Sequence, residues 1–404
     1  MVTVATLSTL VVAGLASLFM AWTIGAGSSG STPFAPAVGA NAISVMRAGL
    51  VVGILGFLGA VLQGANVTQA VGTELIAGVE ISAVAATVGL LTAAGLVALG
   101  VFAGYPIATA FTVTGAVVGV GLALGGDPAW AKYREIAALW VLTPFLGGGT
   151  AYVTARALRD ERLPEAGLVP ILGGLVGVLV ANVEFALLGS EGESLAVSAA
   201  LARRLAPTLA PAVGAAAPLV GRVAITLAVA VAVVAVLRRG MLRDAERAQR
   251  RLLLALGGLV AFSAGGTQVG LAVGPLAPLL DRVAVPLPAV LVGGGLGLLV
   301  GSWTGAPRMI KALAQDYSSL GPRRSIAALI PSFAIAQAAV AFGIPVSFNE
   351  IIVSAIVGSG YAAGGSGVSR AKMVNTVLAW IGSLAVAMGL SYGIFAVLDR
   401  LVLG

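Results

Sequence analysis

Apolar stretches close to twenty residues long, separated by short polar segments, run through the whole chain. That length matches a helix crossing a bilayer core of about 30 Å, which takes roughly 20 residues. The candidate crossings are 3–24, 44–64, 81–104, 106–125 and 136–155, then 167–188 and 219–237, then 252–272, 284–304, 326–343, 345–364 and 373–397. Their apolar positions are continuous and do not alternate, so helices are expected and not the strands of a membrane barrel. The pattern predicts an all-α, polytopic integral membrane protein of about twelve transmembrane helices. The opening stretch, Val2 to Trp22, has no basic segment before it and reads as a retained first span, not a cleaved leader. Between the two central spans, segment 189–218 carries four charges together with Pro207, Pro211 and Pro218, and reads as turn-rich.

The apolar pattern repeats. IGAGSSGSTPF around Gly25 is answered by SAGGTQVGLAVGP around Gly265, and the stretch Tyr105 to Gly126 by Ile344 to Gly365. Pro106 pairs with Pro345, Gly119 and Gly121 with Gly358 and Gly360, Gly125-Gly126 with Gly364-Gly365, and Trp140 with Trp380, at a constant offset of 239 to 240 residues. Two halves with repeated, Gly/Pro-interrupted hydrophobic segments are the sequence trace of a secondary transporter with its site near the bilayer midplane. The expected organisation is a first repeat over 1–162, a central two-helix connection with a basic loop over 163–250, and a second repeat over 251–404.

Charge fixes the orientation. The stretch Arg238 to Arg251 is the most basic in the chain and is expected on the cytoplasmic side, with Arg308, Lys311, Arg323, Arg324, Arg156, Arg159, Arg162, Arg370 and Lys372. The loop from Asn66 to Glu80 has no Lys or Arg but carries Glu74 and Glu80, so it reads as external. Five crossings per half around two central ones satisfy these assignments, with both termini outside. An odd number per half makes the two repeats inverted.

With 59% hydrophobic and 10% charged residues, the chain is not a soluble globular protein. The net charge of +7 is spread over short loops, which speaks against a nucleic-acid partner. There is no cysteine and no histidine, and no phosphate-loop or dinucleotide fingerprint, so no enzyme chemistry and no cofactor are expected.

Four stretches have the wrong composition for plain helix: Gly25 to Thr32, Tyr105 to Thr114, Gly265 to Gly270 and Ile344 to Glu350. Broken helices at membrane depth line a cavity or are buried in protein, and half-helix N-termini suit an anion. The candidate anion-binding residues are Gly25, Ser28, Ser29, Thr109, Thr112, Gly265, Thr267, Gln268, Ser347 and Asn349, with Ser31 and Thr32 as further hydroxyls. No Lys or Arg lies within these segments, so hydroxyls, amides and helix dipoles must supply the donors. For any one of these small residues, close helix packing is the competing role. Glu350 stands in apolar surroundings where a carboxylate is expensive, and is the candidate coupling residue. Glu184 is a weaker acidic candidate, and Gln63 and Asn182 read as interhelical hydrogen bonds.

The repeated motifs resemble those of the inorganic phosphate transporter (PiT) family of sodium- or proton-coupled permeases, over roughly residues 5–155 and 250–400. The family pattern FAHGANDVANAIGP falls without gaps on FSAGGTQVGLAVGP, Phe262 to Pro275, and IGAND falls on Ile24 to Ser28. The pattern PVSTTHA falls on Pro106 to Thr112 and on Pro345 to Ile351. The chain is thus similar to a divergent member. Ser28 and Gln268 stand where the family has aspartates, Gly27 and Thr267 where it has asparagines, and Phe111 and Glu350 where it has histidines. Those aspartates are associated with sodium coupling, so the coupling ion, H⁺ or Na⁺, is left open. The resemblance implies ion-coupled symport of inorganic phosphate across the cell membrane by alternating access. The alternatives are another oxyanion such as sulfate, an uncoupled channel-like permease, or a membrane subunit that does not transport. The expected partners are phosphate or a related oxyanion and the lipid bilayer, with a homodimer left open.

Overall fold

The computed structural model describes residues 4–185, 188–189, 194–283, 285–317, 319–364 and 368–403. Gly365, half of one repeated glycine pair, lies outside the described residues, as do the first positions of the opening span. The first half contains α1 (Val4–Gly27), α2 (Ala35–Gly39), α3 (Val45–Gln63), α4 (Ala65–Thr73), α5 (Ala83–Ala103), α6 (Thr109–Ala123) and α7 (Trp130–Ala157). The centre contains α8 (Glu165–Ala181), α9 (Val197–Val213) and α10 (Ala217–Arg243). The second half contains α11 (Ala245–Val273), α12 (Ala277–Val283), α13 (Leu287–Thr304), α14 (Ala306–Gln315), α15 (Pro322–Phe342), α16 (Phe348–Tyr361) and α17 (Arg370–Leu398). The strands described are two-residue pairs, Ile76–Ala77 with Asp127–Pro128 and Glu184–Phe185 with Leu195–Ala196.

Each of the twelve expected spans falls on a helix. Nine helical stretches among the described residues are long and apolar enough to cross a membrane. The others are α6, α8 and α16, of 15, 17 and 14 residues. At 1.5 Å per residue they reach only about 21–26 Å, short of the roughly 30 Å core.

Two of the expected helix breaks are real but narrower than the composition suggested. Tyr105–Ala108 and Ile344–Ser347 are non-helical, and α6 and α16 start directly after them. A third begins later than expected: α1 stays helical through Gly27, and the turns start at Ser28. The fourth is absent, because α11 runs unbroken through Gly265 to Gly270 and ends only at Val273, before a single 3₁₀ turn, Gly274–Leu276. The glycines of α11 serve close packing instead. A Cβ on Gly265 would overlap the Gly56 carbonyl of α3, just as one on Gly25 would overlap the Leu298 carbonyl of α13. The segment read as turn-rich also differs: Pro207 and Pro211 lie inside α9, and Pro218 sits in the first turn of α10, where a missing N–H costs nothing.

The halves interlock reciprocally. α6 packs along α17 while α16 packs along α7, and α3 packs along α11 while α13 packs along α1. Side chains repeat the exchange. The Trp140 indole donates to the Pro345 carbonyl at 2.9 Å, and the Trp380 indole donates to the Pro106 carbonyl at 2.8 Å. Lys132 pairs with Glu74 at 2.8 Å, and Lys372, its counterpart in the repeat, pairs with Asp316. Lys372 also lies over the Tyr105 and Tyr317 rings, 5.6 and 5.3 Å from their centroids. Contacts exchanged in this way are what a twofold relation between two like bodies produces. The loop contacts respect the charge-based sidedness: Arg323 and Gln249 both reach Glu165, and Arg250 donates to the Ala42 carbonyl, all on the side expected to be cytoplasmic.

Candidate functional site

Four chain segments meet at the centre: the C-terminal end of α1, the N-termini of α6 and α16, and the C-terminal part of α11. Gln268 of α11 ties them together. Its Nε2 donates to the Val346 carbonyl at 2.7 Å, and its Oε1 accepts the Thr109 hydroxyl at 3.0 Å. Thr109 Oγ1 lies 3.4 Å from Ser28 Oγ. The single Thr109 hydrogen serves either this longer contact to Ser28 or the shorter one to Gln268. Asn349, in the first turn of α16, donates to the Gly27 carbonyl at 3.0 Å and the Ile107 carbonyl at 2.6 Å. It thereby caps the end of α1 and fixes the non-helical approach to α6.

Neither α6 nor α16 has a side-chain N-cap. Their first-turn amides are therefore left for something else, and both positive dipole ends are presented at one place. Ser28, Thr109, Gln268, Ser347, Asn349 and Glu350 are all 0–2% exposed, so the site is sealed from bulk water.

Ser28, Thr109 and Gln268 form one hydrogen-bonded group, and Ser347 and Asn349 flank the Val346 carbonyl that Gln268 holds. The remaining candidates turn back on their own elements. Ser29 Oγ reaches the Ile24 carbonyl at 3.5 Å, Thr112 donates to Ala108 at 3.0 Å, and Thr267 donates to Ser263 at 3.1 Å. Ser31 and Thr32 both donate to the Ser28 carbonyl. Gly25 and Gly265 occupy packing positions against α13 and α3.

Three buried side-chain atoms within four residues have no hydrogen-bond partner among the described residues: Ser347 Oγ, Asn349 Oδ1 and Glu350 Oε2. Each such atom costs about 1–3 kcal/mol, so a cluster of them calls for an occupant. Among the described residues Glu350 has no basic partner, and Lys372 is committed to Asp316. The donor set of hydroxyls and helix N-termini suits an oxyanion. The two orphaned acceptors, Asn349 Oδ1 and the Glu350 carboxylate, suit a proton or a small cation.

Sequence reasoning did not assign Trp140 and Trp380 to the site, although their repeat spacing was visible. Their indoles hold the carbonyls at the start of the two non-helical approaches. Gln337 was also missed: it donates to Ser263 Oγ at 2.6 Å and exchanges longer contacts with Gln63. Gln63 does make the expected interhelical bonds, and Asn182 links α8 to Thr226 of α10 and accepts from Ser198 of α9. Glu184 lies in a short strand, where its backbone carbonyl accepts from Gln63.

Comparison with known proteins agrees with this architecture. A profile of the phosphate transporter family matches residues 24–391. A phosphate permease-like protein of Thermococcus kodakarensis is 25% identical over 417 residues, covering 94% of this chain and 95% of that protein. The chloroplastic inorganic phosphate transporter 2-1 of Arabidopsis thaliana is 26% identical, covering 93% of this chain and 70% of that protein. A solved structure described as the sodium-dependent phosphate transporter shares the fold, with a TM-score of 0.79 at 23% identity over 98% of this chain and 100% of that one. Matched over nearly its whole length, and built as a multi-pass bundle of apolar helices, the chain belongs to the phosphate transporter family, whose members are membrane transporters and not enzymes.

Proposed function

We propose that this phosphate transporter works as an ion-coupled symporter, binding phosphate at the sealed junction of α1, α6, α11 and α16 and releasing it by alternating access. The observation that carries this reading is the pair of uncapped helix N-termini, one from each half, meeting around Ser28, Thr109 and Gln268. The reciprocal contacts between halves support inverted repeats over 1–162 and 251–404 around a connection over 163–250. Rocking one set of helices against the other would then expose the site to each side in turn.

Glu350 is the coupling group in this reading. An ionised carboxylate close to a bound anion in apolar surroundings repels it, so a proton on Glu350 and phosphate in the site favour one another, which is the linkage symport requires. The orphaned Asn349 Oδ1 supports a second reading, in which the same acceptors hold Na⁺. Uptake of labelled phosphate into proteoliposomes separates the two. Proton coupling predicts accumulation driven by an inward proton gradient without Na⁺, and loss of its pH dependence in Glu350→Gln. A strict Na⁺ requirement, or an intact pH dependence in the variant, would overturn proton coupling through Glu350. Competition by sulfate tests the choice of oxyanion.

A further inference from the structure

Outside the central site, a strongly basic cavity lies where α10 turns into α11. It has a volume of about 470 Å³ and is lined by Arg239, Arg243, Arg247 and Arg251. These four recur every fourth residue across the junction at Asp244. The two helices approach closely beside it: a Cβ on Gly240 would lie 3.2 Å from that of Ala248. The acidic residue lining the cavity, Asp244, is already committed. It caps α11 through the Arg247 N–H at 2.9 Å and meets the Arg247 side chain at 3.5 Å. Arg239, Arg243 and Arg251 form no ion pair among the described residues.

The apolar side of the cavity continues along α10. Leu219, Leu227 and Val231 are 57–66% exposed, on the side of α10 that its neighbours α8 and α9 leave open. A preference for basic residues on the cytoplasmic side accounts for the face these arginines occupy. It does not account for their spacing around one cavity at the foot of a helix with an exposed apolar side. That combination matches an amphiphile with an anionic head.

We infer that this cavity binds the phosphate headgroup of an anionic phospholipid, whose acyl chains lie along α10. Arg239, Arg243 and Arg251 supply forked donors to the phosphate oxygens. A free phosphate ion would use the arginines alone, with no need for the apolar flank.

Native mass spectrometry of the full-length protein in detergent tests this, with added phosphatidylglycerol, phosphatidylcholine or inorganic phosphate. The wild type should retain phosphatidylglycerol in preference to phosphatidylcholine. The Arg239→Gln/Arg243→Gln/Arg251→Gln variant should bind phosphatidylglycerol about 1,000-fold more weakly, each lost charged contact being worth roughly tenfold. Excess inorganic phosphate should leave the lipid bound. Arg243→Gln alone gives the same test at roughly tenfold amplitude, should the triple variant not fold. Equal retention of both lipids, or undiminished phosphatidylglycerol binding in the variants, would overturn the proposal. Displacement of the lipid by inorganic phosphate would assign the arginines to a free anion and overturn it too. So would a dimer whose second copy covers α10 and excludes lipid, which the same spectra would report.

Discussion

The two tryptophans offer a paired test of how the broken segments are held. Trp140→Phe and Trp380→Phe each keep a buried ring and remove only the indole N–H. Each loss leaves a proline carbonyl, Pro345 or Pro106, without its donor in a region closed to water. A net hydrogen bond is worth about 0.5–1.5 kcal/mol, and a carbonyl left buried and unpaired costs about 1–3 kcal/mol. The carbonyls lie three residues before the first helical residues of α6 and α16, so the loss falls on the segments that aim Thr109, Ser347 and Asn349. If preorganisation of those segments is what the indoles provide, KM for phosphate should rise roughly 5- to 100-fold in proteoliposome uptake. The two effects should be of similar size, because the bonds are exchanged between the halves. Trp140 also packs edge-on against Phe111, with ring centroids 3.8 Å apart, so its replacement should cost about 0.5–1 kcal/mol more. A melting temperature that falls while KM stays at the wild-type value would show that the indoles only support the fold. A KM and stability unchanged within twofold in both variants would refute the reasoning outright.

Three further outcomes are expected. Ser347→Ala removes a hydroxyl with no partner among the described residues, so thermal stability should hold while phosphate affinity drops about 10- to 100-fold; unchanged affinity would move the anion away from α16. Gly265→Ala forces a methyl onto the Gly56 carbonyl and should destabilise the protein by about 3 kcal/mol or more, read as a lower melting temperature; a wild-type melting curve would contradict the close packing of α11 on α3. Tyr317 lies outside the apolar spans, and burial pushes its phenol up to about 12 from the usual 10, against the smaller opposing effect of its hydrogen bond to Thr376. The folded state therefore holds this proton more tightly than the unfolded one. Stability is unaffected below about pH 10 and is lost between about pH 10 and 12, at up to roughly 1.4 kcal/mol per pH unit. Denaturation of wild type against Tyr317→Phe across that window should show the steeper loss in the wild type.

Most of the helical plan could be read from the chain because its signal is carried by single residue types in long runs. Twenty apolar residues have one economical use in a bilayer, and a repeat offset that holds from Gly25 to Trp380 is not produced by composition. Glycine was the ambiguous letter. It marks a broken helix or a close approach of two helices, and in α11 it marks the second. Gly266, Gly270 and Gly274 recur at four-residue spacing, the small-residue stripe that lets backbones meet, and a Cβ on Gly270 would lie 2.6 Å from the Thr68 amide of α4. That spacing was present in the sequence and favours packing over a break. In the Pro106 and Pro345 segments the proline comes first and cannot continue a preceding helix, so the break there was decided by covalent structure.

The candidate site was legible by residue type and illegible by partner. Thr109, Gln268 and Asn349 stood out as polar side chains in apolar surroundings, but most of their hydrogen bonds run to carbonyls of Gly27, Ile107 and Val346. Every residue has a carbonyl, so no sequence pattern distinguishes the few that are left free at a helix end. Trp140 and Trp380 escaped assignment for the same reason: a large apolar ring in an apolar helix announces packing, and only the position of its N–H against a proline carbonyl gives it a second task. The substituted motif positions gain a physical meaning from this geometry. Gln268 sits where the family has an acid, yet it uses both ends of its amide to bind two opposed segments, which a carboxylate with no donor could not do. A neutral amide thus does the joining at this junction, and among the described residues Glu350 keeps one carboxylate oxygen without a hydrogen-bond partner, the opening that the proposed coupling to a proton or Na⁺ would use.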